Sequence, residues 1–258
     1  MLLRYPDRMT DTRYKLLAWL FIAVLIPGGC GGRSGKLPDF AAIEDVGLMK
    51  REFYDFLHPV VVCENQRILG QRAELAAIRS ALAAGDAPGW FQRRDIKALA
   101  EEYELEWSDD DIADIIDRLW LRVDVIPKEL ALVQAAKESG WGRSRFAVEY
   151  SNLFGHWCYE AGCGVVPERR AAGAGHEVAA FDDVSESVRR YMNNLNTHER
   201  YAELRRLRAA QRRAEKPVTG PTLAPGLLGY SERGEPYVEE VISMMQQNQD
   251  LLDDAANS

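Results

Sequence analysis

The chain has 258 residues, of which 47% are hydrophobic and 28% charged, enough apolar material for a sizeable core and unlike a disordered polymer. A formal charge of −8 argues against a nucleic-acid partner, and no phosphate-cradling glycine motif or clustered basic helix says otherwise. One main domain is the simplest organisation for this length.

Arg4, Arg8, Arg13 and Lys15 precede an apolar run from Leu16 to Ile26, followed by Pro27-Gly28-Gly29 and Cys30. The run is shorter than the ~20 residues a bilayer span needs, so residues 1–29 read as a signal peptide. Cys30 after two glycines reads as a lipoprotein cleavage site, with residues 30–38 as a tether. Ordinary cleavage nearby and an uncleaved anchor are the alternatives. The expected location is the periplasm, on a membrane.

Residues 39–124 read as a helical extension. Helical spacing persists from about Ala41 to Ala84, with Pro59 expected to kink it, and Pro88-Gly89 ends the run. Two further helices are predicted over Phe91–Tyr103 and Asp109–Leu121, the second opened by Ser108 with Asp111. No sugar-directed motif is found there, so the extension reads as a stabilising layer. Cys63, among Val60-Val61-Val62, reads as a plain buried residue.

The stretch LALVQAAKESGWGRSRFAVEYSNLFG, residues 130–155, is the most informative. Leu130, Ala131, Leu132, Val133, Ala135 and Ala136 leave little polar face, so this helix should be buried nearly all round. Glu138 then stands where the helix is about to stop, with Gly140 offering a left-handed end. The helix's C-terminal carbonyls and partial burial both favour its protonated form. A carboxyl held neutral near pH 7 is what a glycosidase uses to protonate a leaving sugar oxygen. The competing reading is that Glu138 caps or pairs within a helical core. Trp141, Phe146, Phe154 and Trp157 suit a sugar-lined cleft or, equally, simple packing.

Between Phe154 and Asp183 the glycines multiply, and Glu177, Ala179 and Phe181 alternate in a strand-like pattern, which predicts a small β lobe. Cys158 and Cys163 enclose four residues, a spacing short enough for a loop-closing disulfide in an oxidising compartment. Zinc is the rival, but two cysteines without a second pair make an incomplete site, and His156 and His176 lack finger spacing. Asn152 is expected to order the turn into Leu153-Phe154-Gly155. Asp183 and Glu186 make a capping-box-like start to a helix carrying Val188, Tyr191 and Leu195. Arg205 to Arg213 reads as the solvated face of a helix. A closing helix carries Tyr237, Val238, Val241, Ile242, Met245 and Leu252.

ALVQAAKESGWGRSRFA followed by NLFG resembles the catalytic motif of peptidoglycan-cleaving glucosaminidases, glycoside hydrolase family seventy-three, and especially its Bax-like branch. The likeness continues through Phe154-Gly155-His156-Trp157-Cys158, His176-Glu177-Val178, Ser187-Val188-Arg189-Arg190-Tyr191 and Asn194-Leu195-Asn196-Thr197-His198. It implies an α+β, mainly α fold, a lysozyme-like helical lobe facing a small β-hairpin lobe across a cleft, with the catalytic domain over residues 125–252 and a tail at 253–258. Glu138 becomes the general acid. Glu177 becomes a second catalytic carboxylate, activating water or stabilising the transition state, although a neighbouring-group mechanism would reduce the need for it. Tyr191, Trp141, Phe154, Trp157 and Asn152 become substrate-binding candidates. Arg169 and Arg170 read as a solvated loop, with stem-peptide carboxylates as the alternative contact. The implied partner is the peptidoglycan glycan strand, and neither metal nor organic cofactor is implied. A muramidase, a lytic transglycosylase or a noncatalytic peptidoglycan-binding morphogenesis factor are the alternatives.

Overall fold

A computed structural model describes residues 36–158, 160, 162–166 and 177–255. The expected signal peptide, the lipidated Cys30, most of the tether, Arg169 and Arg170 lie outside the described residues. A 3-10 turn at Phe40–Ala42 leads into α1 (Val46–Ala83), then α2 (Trp90–Glu102), α3 (Ile112–Arg122), α4 (Lys128–Ser139) and α5 (Arg145–Tyr150). Three short strands follow, β1 (Trp157–Cys158), β2 (Gly164–Val165) and β3 (Glu177–Ala179). The chain closes with α6 (Val184–Thr197), α7 (Ala202–Arg213), α8 (Gly220–Leu223), α9 (Glu235–Gln247) and α10 (Gln249–Asp254). The fold is therefore mainly α with a small antiparallel sheet.

The 38-residue α1 starts on Asp45, whose side chain accepts from Leu48 N–H, and runs unbroken through Pro59. Pro59 is exposed within the continuous helix, so the Asp55 carbonyl that loses its N–H donor there can be served by water. Phe53, Tyr54, Leu57 and Val61 on its inner face are fully buried, each contributing about 1.5–3 kcal/mol by leaving water. They pack on α4 and α6. Cys63 is half-buried and, contrary to the simple reading, is not a free thiol.

Helix α4 is the middle of the molecule, in contact with α1, α8 and α9. That explains why Leu130 to Ala136 are all buried: neighbours surround the helix. Its entry is pinned by Asn65 of α1, whose amide donates to Ile126 O (2.8 Å) and accepts from Ile126 N–H (3.1 Å). Two expectations shift. Helix α3 starts at Ile112 with Asp111 as its N-cap, because Ser108 Oγ turns to Asp111 Oδ2 (3.4 Å) instead of capping the helix itself. The arginines of α7 are not all solvated: Arg205 and Arg208 are buried, since the ends of α3 and α6 leave carbonyls that guanidinium donors satisfy. Arg208 donates to the carbonyls of Leu121, Arg122, Asp124 and Val125 and to Asn196 Oδ1.

The sheet order is β1-β3-β2, antiparallel throughout, with Trp157 opposite Val178, Cys158 opposite Glu177 and Gly164 opposite Ala179. Gly164 is required by close approach, as a Cβ there would fall 2.0 Å from Val178 O.

Candidate active site

Helix α4 ends where Gly140 adopts a left-handed conformation (φ 59°, ψ 46°), its N–H and that of Trp141 both returning to Ala136 O. Trp141 and Gly142 continue with φ 63° and 73°; for a tryptophan this conformation costs about 1–2 kcal/mol. The strain is offset by packing. The Trp141 ring meets Phe53 and Tyr54 edge-on at 5.8 and 5.2 Å, and Lys50 lies 5.0 Å from it. Trp141 thus joins α1 to the end of α4, and its contacts are with protein aromatics, not the open face expected of a sugar platform. Ser139 Oγ locks the turn, donating to Ala135 O (2.6 Å) and accepting from Gly142 N–H (2.7 Å).

This turn leaves Glu138 half-buried at the edge of the core. Burial pushes its carboxyl pKa above the ordinary value, opposed by the Tyr237 hydroxyl and by Lys137. Tyr237, on α9, donates to Glu138 Oε1 at 2.8 Å. The same oxygen of Tyr237 accepts from Gln134 Nε2 (2.9 Å), and Gln134 Oε1 accepts from the Tyr191 hydroxyl (2.6 Å). A directed chain results: Tyr191 to Gln134 to Tyr237 to Glu138. Because the Gln134 amide can only donate to Tyr237 from its nitrogen, the single phenolic proton of Tyr237 is aimed at Glu138. With Oε1 receiving that proton, a neutral Glu138 carries its own on Oε2.

Tyr201 and Tyr230 complete the surroundings. Tyr230 stacks on Tyr237 (5.4 Å, 13°), donates to Phe154 O (3.3 Å) and lies 6.1 Å from Tyr201. All four tyrosines have pKa values pushed up, first by burial and in part by the Glu138 charge, so they act as neutral donors. Lys137 pairs with Glu240, which also pairs with Arg233. Those two partners hold the Glu240 carboxyl down to about 2.

The remaining candidates fall into two groups. Tyr191 is fully buried, its ring stacked on Phe154 (4.0 Å, 10°) and its hydroxyl committed to Gln134, so it acts behind Glu138 and not on a sugar. Phe154 is buried by the same stack. Asn152 is buried as well, its amide clamping His156 O, Ala179 O and His156 N–H, which fixes the loop onto β3 and leaves nothing for a ligand. The buried His156 Nε2 lacks a partner, and burial with the nearby Arg190 pushes the ring down to about 3, hence neutral. Trp157 is 53% exposed on β1, an aromatic surface able to take a sugar face.

Glu177 is buried within the β lobe, where its carboxylate accepts from Gly162 N–H (3.1 Å) and Gly164 N–H (3.0 Å). Cys158 and Cys163 are joined by a disulfide, Cα atoms 6.2 Å apart, which closes this loop. Their sulfurs lie close to Glu177, yet being bonded to each other they offer no thiolate for a metal. Sequence reasoning missed Gln134, Tyr201, Tyr230 and Tyr237 as site residues. Gln134 was detectable, the one polar residue within the apolar stretch 130–136 and one turn before Glu138.

The segment that carries the Glu138 carboxyl and the Tyr237 phenol lies within a match to a known family. The model for mannosyl-glycoprotein endo-beta-N-acetylglucosaminidase matches residues 113–250, more than half of the chain, and the protein belongs to this glucosaminidase family of glycoside hydrolases. A curated relative, Protein bax of Escherichia coli (strain K12), is 33% identical over 220 residues, covering 85% of this chain and 77% of the relative. Among solved structures, the catalytic domain of the autolysin Auto from Listeria monocytogenes aligns with a TM-score of 0.38 and 20% identity, over 68% of this chain and 93% of that domain.

Proposed function

We propose that the protein is an exported endo-β-N-acetylglucosaminidase that cleaves β-1,4 bonds of the peptidoglycan glycan strand, with Glu138 as its general acid. The observation that carries this reading is the directed hydrogen bond from Tyr237 to Glu138 Oε1 at the rim of a buried helix. It leaves Oε2 open to carry the proton, and burial shifts the carboxyl toward its protonated form. Transfer of the proton to the glycosidic oxygen lets the anomeric C–O bond break as positive charge develops on the sugar ring. In the resting conformation Glu177 is occupied by the peptide groups of Gly162 and Gly164. This favours a neighbouring-group route, in which the substrate's acetamido oxygen attacks the anomeric carbon and water later opens the cyclic intermediate, with Glu138 taking back a proton. Trp157 offers the stacking surface for a sugar. The basic, apolar order of residues 1–26 followed by two glycines supports export to the periplasm.

The test is mass spectrometry of fragments released from purified peptidoglycan by the protein and by its Glu138→Gln variant. Reducing-end N-acetylglucosamine from the wild type alone is expected. N-acetylmuramic acid or its anhydro form would reassign the bond to a muramidase or lytic transglycosylase. Fragments from both proteins would remove Glu138 from its role.

A further inference from the structure

The α3 and α7 helices enclose a feature that glycosidic chemistry does not use. Two adjoining hollows of about 410 and 630 Å³ share Leu121, Arg205, Ala209 and Arg213 as common walls, so they form one groove along α7. Five arginines line one and six the other; with Arg205 and Arg213 common to both, nine guanidinium groups meet there. The lining contains two acids, Glu199 in the first hollow and Asp124 in the second. For a chain of formal charge −8, this is a local reversal of sign.

Arg79, Arg118 and Arg122 pair with Asp117, Asp114 and Glu199, but the positive charge still exceeds its internal partners. Asp124 is shared by Arg72, Arg208 and Arg212. Arg205 is buried and bonded to the carbonyls of Leu195 and His198, with no ion-paired carboxylate among the described residues. Arg213, exposed at the mouth, has no ion-pair or hydrogen-bond partner among the described residues. Arg206 pairs with Glu203 on its own helix, an exposed contact that a ligand can displace at little cost. The buried arginines also repel one another: Arg72 and Arg205 lower Arg208, and Arg122 lowers Arg205, burial acting first in both. An anion entering the groove relieves that repulsion.

We propose that this groove binds a short peptide bearing two or more carboxylates, in the form of the stem peptides attached to the glycan. Guanidinium forks pair bidentately with carboxylates. Size and lining favour a peptide over a compact phosphate. The hollows are in the range of ~300–1,000 Å³ that organic ligands fill. Between the guanidinium groups run small apolar surfaces, Ala202, Ala209 and Leu121, suited to alanine-sized side chains. The first hollow is lined by Glu199 and Ala202, which flank Tyr201 at the start of α7.

The proposal rests on the peptidoglycan reading only for the origin of the peptide, and its test needs no turnover. The probe is a synthetic, sugar-free tetrapeptide of alanine, glutamate, a diamino diacid and alanine, titrated calorimetrically into the full protein and into an Arg206→Glu/Arg213→Glu variant. Saturable binding that weakens with added salt is expected, and the variant, altered only at exposed positions, should lose about tenfold in affinity while keeping its circular dichroism. Binding with no glycan cleavage would leave the groove in place and sink the hydrolase reading. Cleavage with no saturable binding at millimolar peptide, or equal affinity in the variant, would overturn the groove. Equal competition by inorganic pyrophosphate would also overturn it, marking a general anion site.

Discussion

Replacing Tyr237 with phenylalanine removes one oxygen from the interior and changes the titration of Glu138 in a defined direction. The lost hydrogen bond, 2.8 Å from phenol to carboxylate, stabilises the ionised form. Hydrogen bonds to charged groups contribute about 1.5–3 kcal/mol, and about 1.4 kcal/mol corresponds to one pKa unit, so the carboxyl should rise by roughly one to two units. In the pH profile of kcat/KM, measured as clearing of a purified peptidoglycan suspension, the proposed role of Glu138 makes the alkaline limb report loss of its proton. Tyr237→Phe should therefore move that limb to higher pH while lowering the maximum, because Gln134 Nε2 loses its acceptor and the sugar-facing geometry loosens. The unsatisfied amide should also cost about 1–3 kcal/mol of stability in urea unfolding. A merely structural tyrosine would lower the rate at every pH without shifting the limb. A stationary or acid-shifted limb in a natively folded variant would refute the directed chain from Tyr191 to Glu138.

The acid-unfolding limb should depend on Asp124. Burial alone would raise its carboxyl, but Arg208, Arg212 and Arg72 outweigh that and hold it below the ordinary value. Its contribution is complete above the unfolded-state pKa and is lost as pH falls through the lower folded value; Asp124→Asn should flatten that acid dependence in a melting series and cost about 3–5 kcal/mol at neutral pH by stranding buried arginines. For Glu138 the sign is opposite: the folded carboxyl holds its proton to higher pH, so its stabilising contribution fades as pH rises through the folded value. Glu138→Gln should accordingly be at least as stable as the wild type at pH 8, as judged by thermal melting. Gly164→Ala should disrupt the β lobe, since the new Cβ meets Val178 O, while helical circular dichroism is retained and activity falls; unchanged activity would detach the sheet from catalysis. Removing the Cys158–Cys163 bond by serine substitution should loosen the loop that holds Glu177, detectable as faster amide exchange at Gly162 and Gly164.

The helices around Glu138 were legible because their physics is local. Apolar residues on every side of 130–136 demand a surrounded helix, Gly140 signals its end, and Asp183 announces α6, where it accepts from Ser185 and Glu186 N–H. Residues that gain their role across the chain were not legible. Tyr191 has the pattern of a cleft aromatic, and only the three-dimensional packing shows its hydroxyl spent on Gln134. Arg205 and Arg208 sit in a run that looks solvated by charge alone, yet they satisfy carbonyls at helix ends contributed by distant segments. Asn152 combines both cases, a turn-forming residue by type whose amide bonds extend as far as Ala179.

Glu138 and the phenol that serves it are separated by 99 positions, with the second supplied by the helix that nearly closes the chain. A polypeptide made, or threaded across a membrane, from its N-terminus forward therefore carries its acid long before it carries the donor that orients that acid. Until Glu235–Gln247 has emerged and docked on α4, Glu138 lacks the hydrogen-bond donor it has in the folded protein. Under the proposed function, this order predicts that a chain clipped before α9 releases no fragments from purified peptidoglycan.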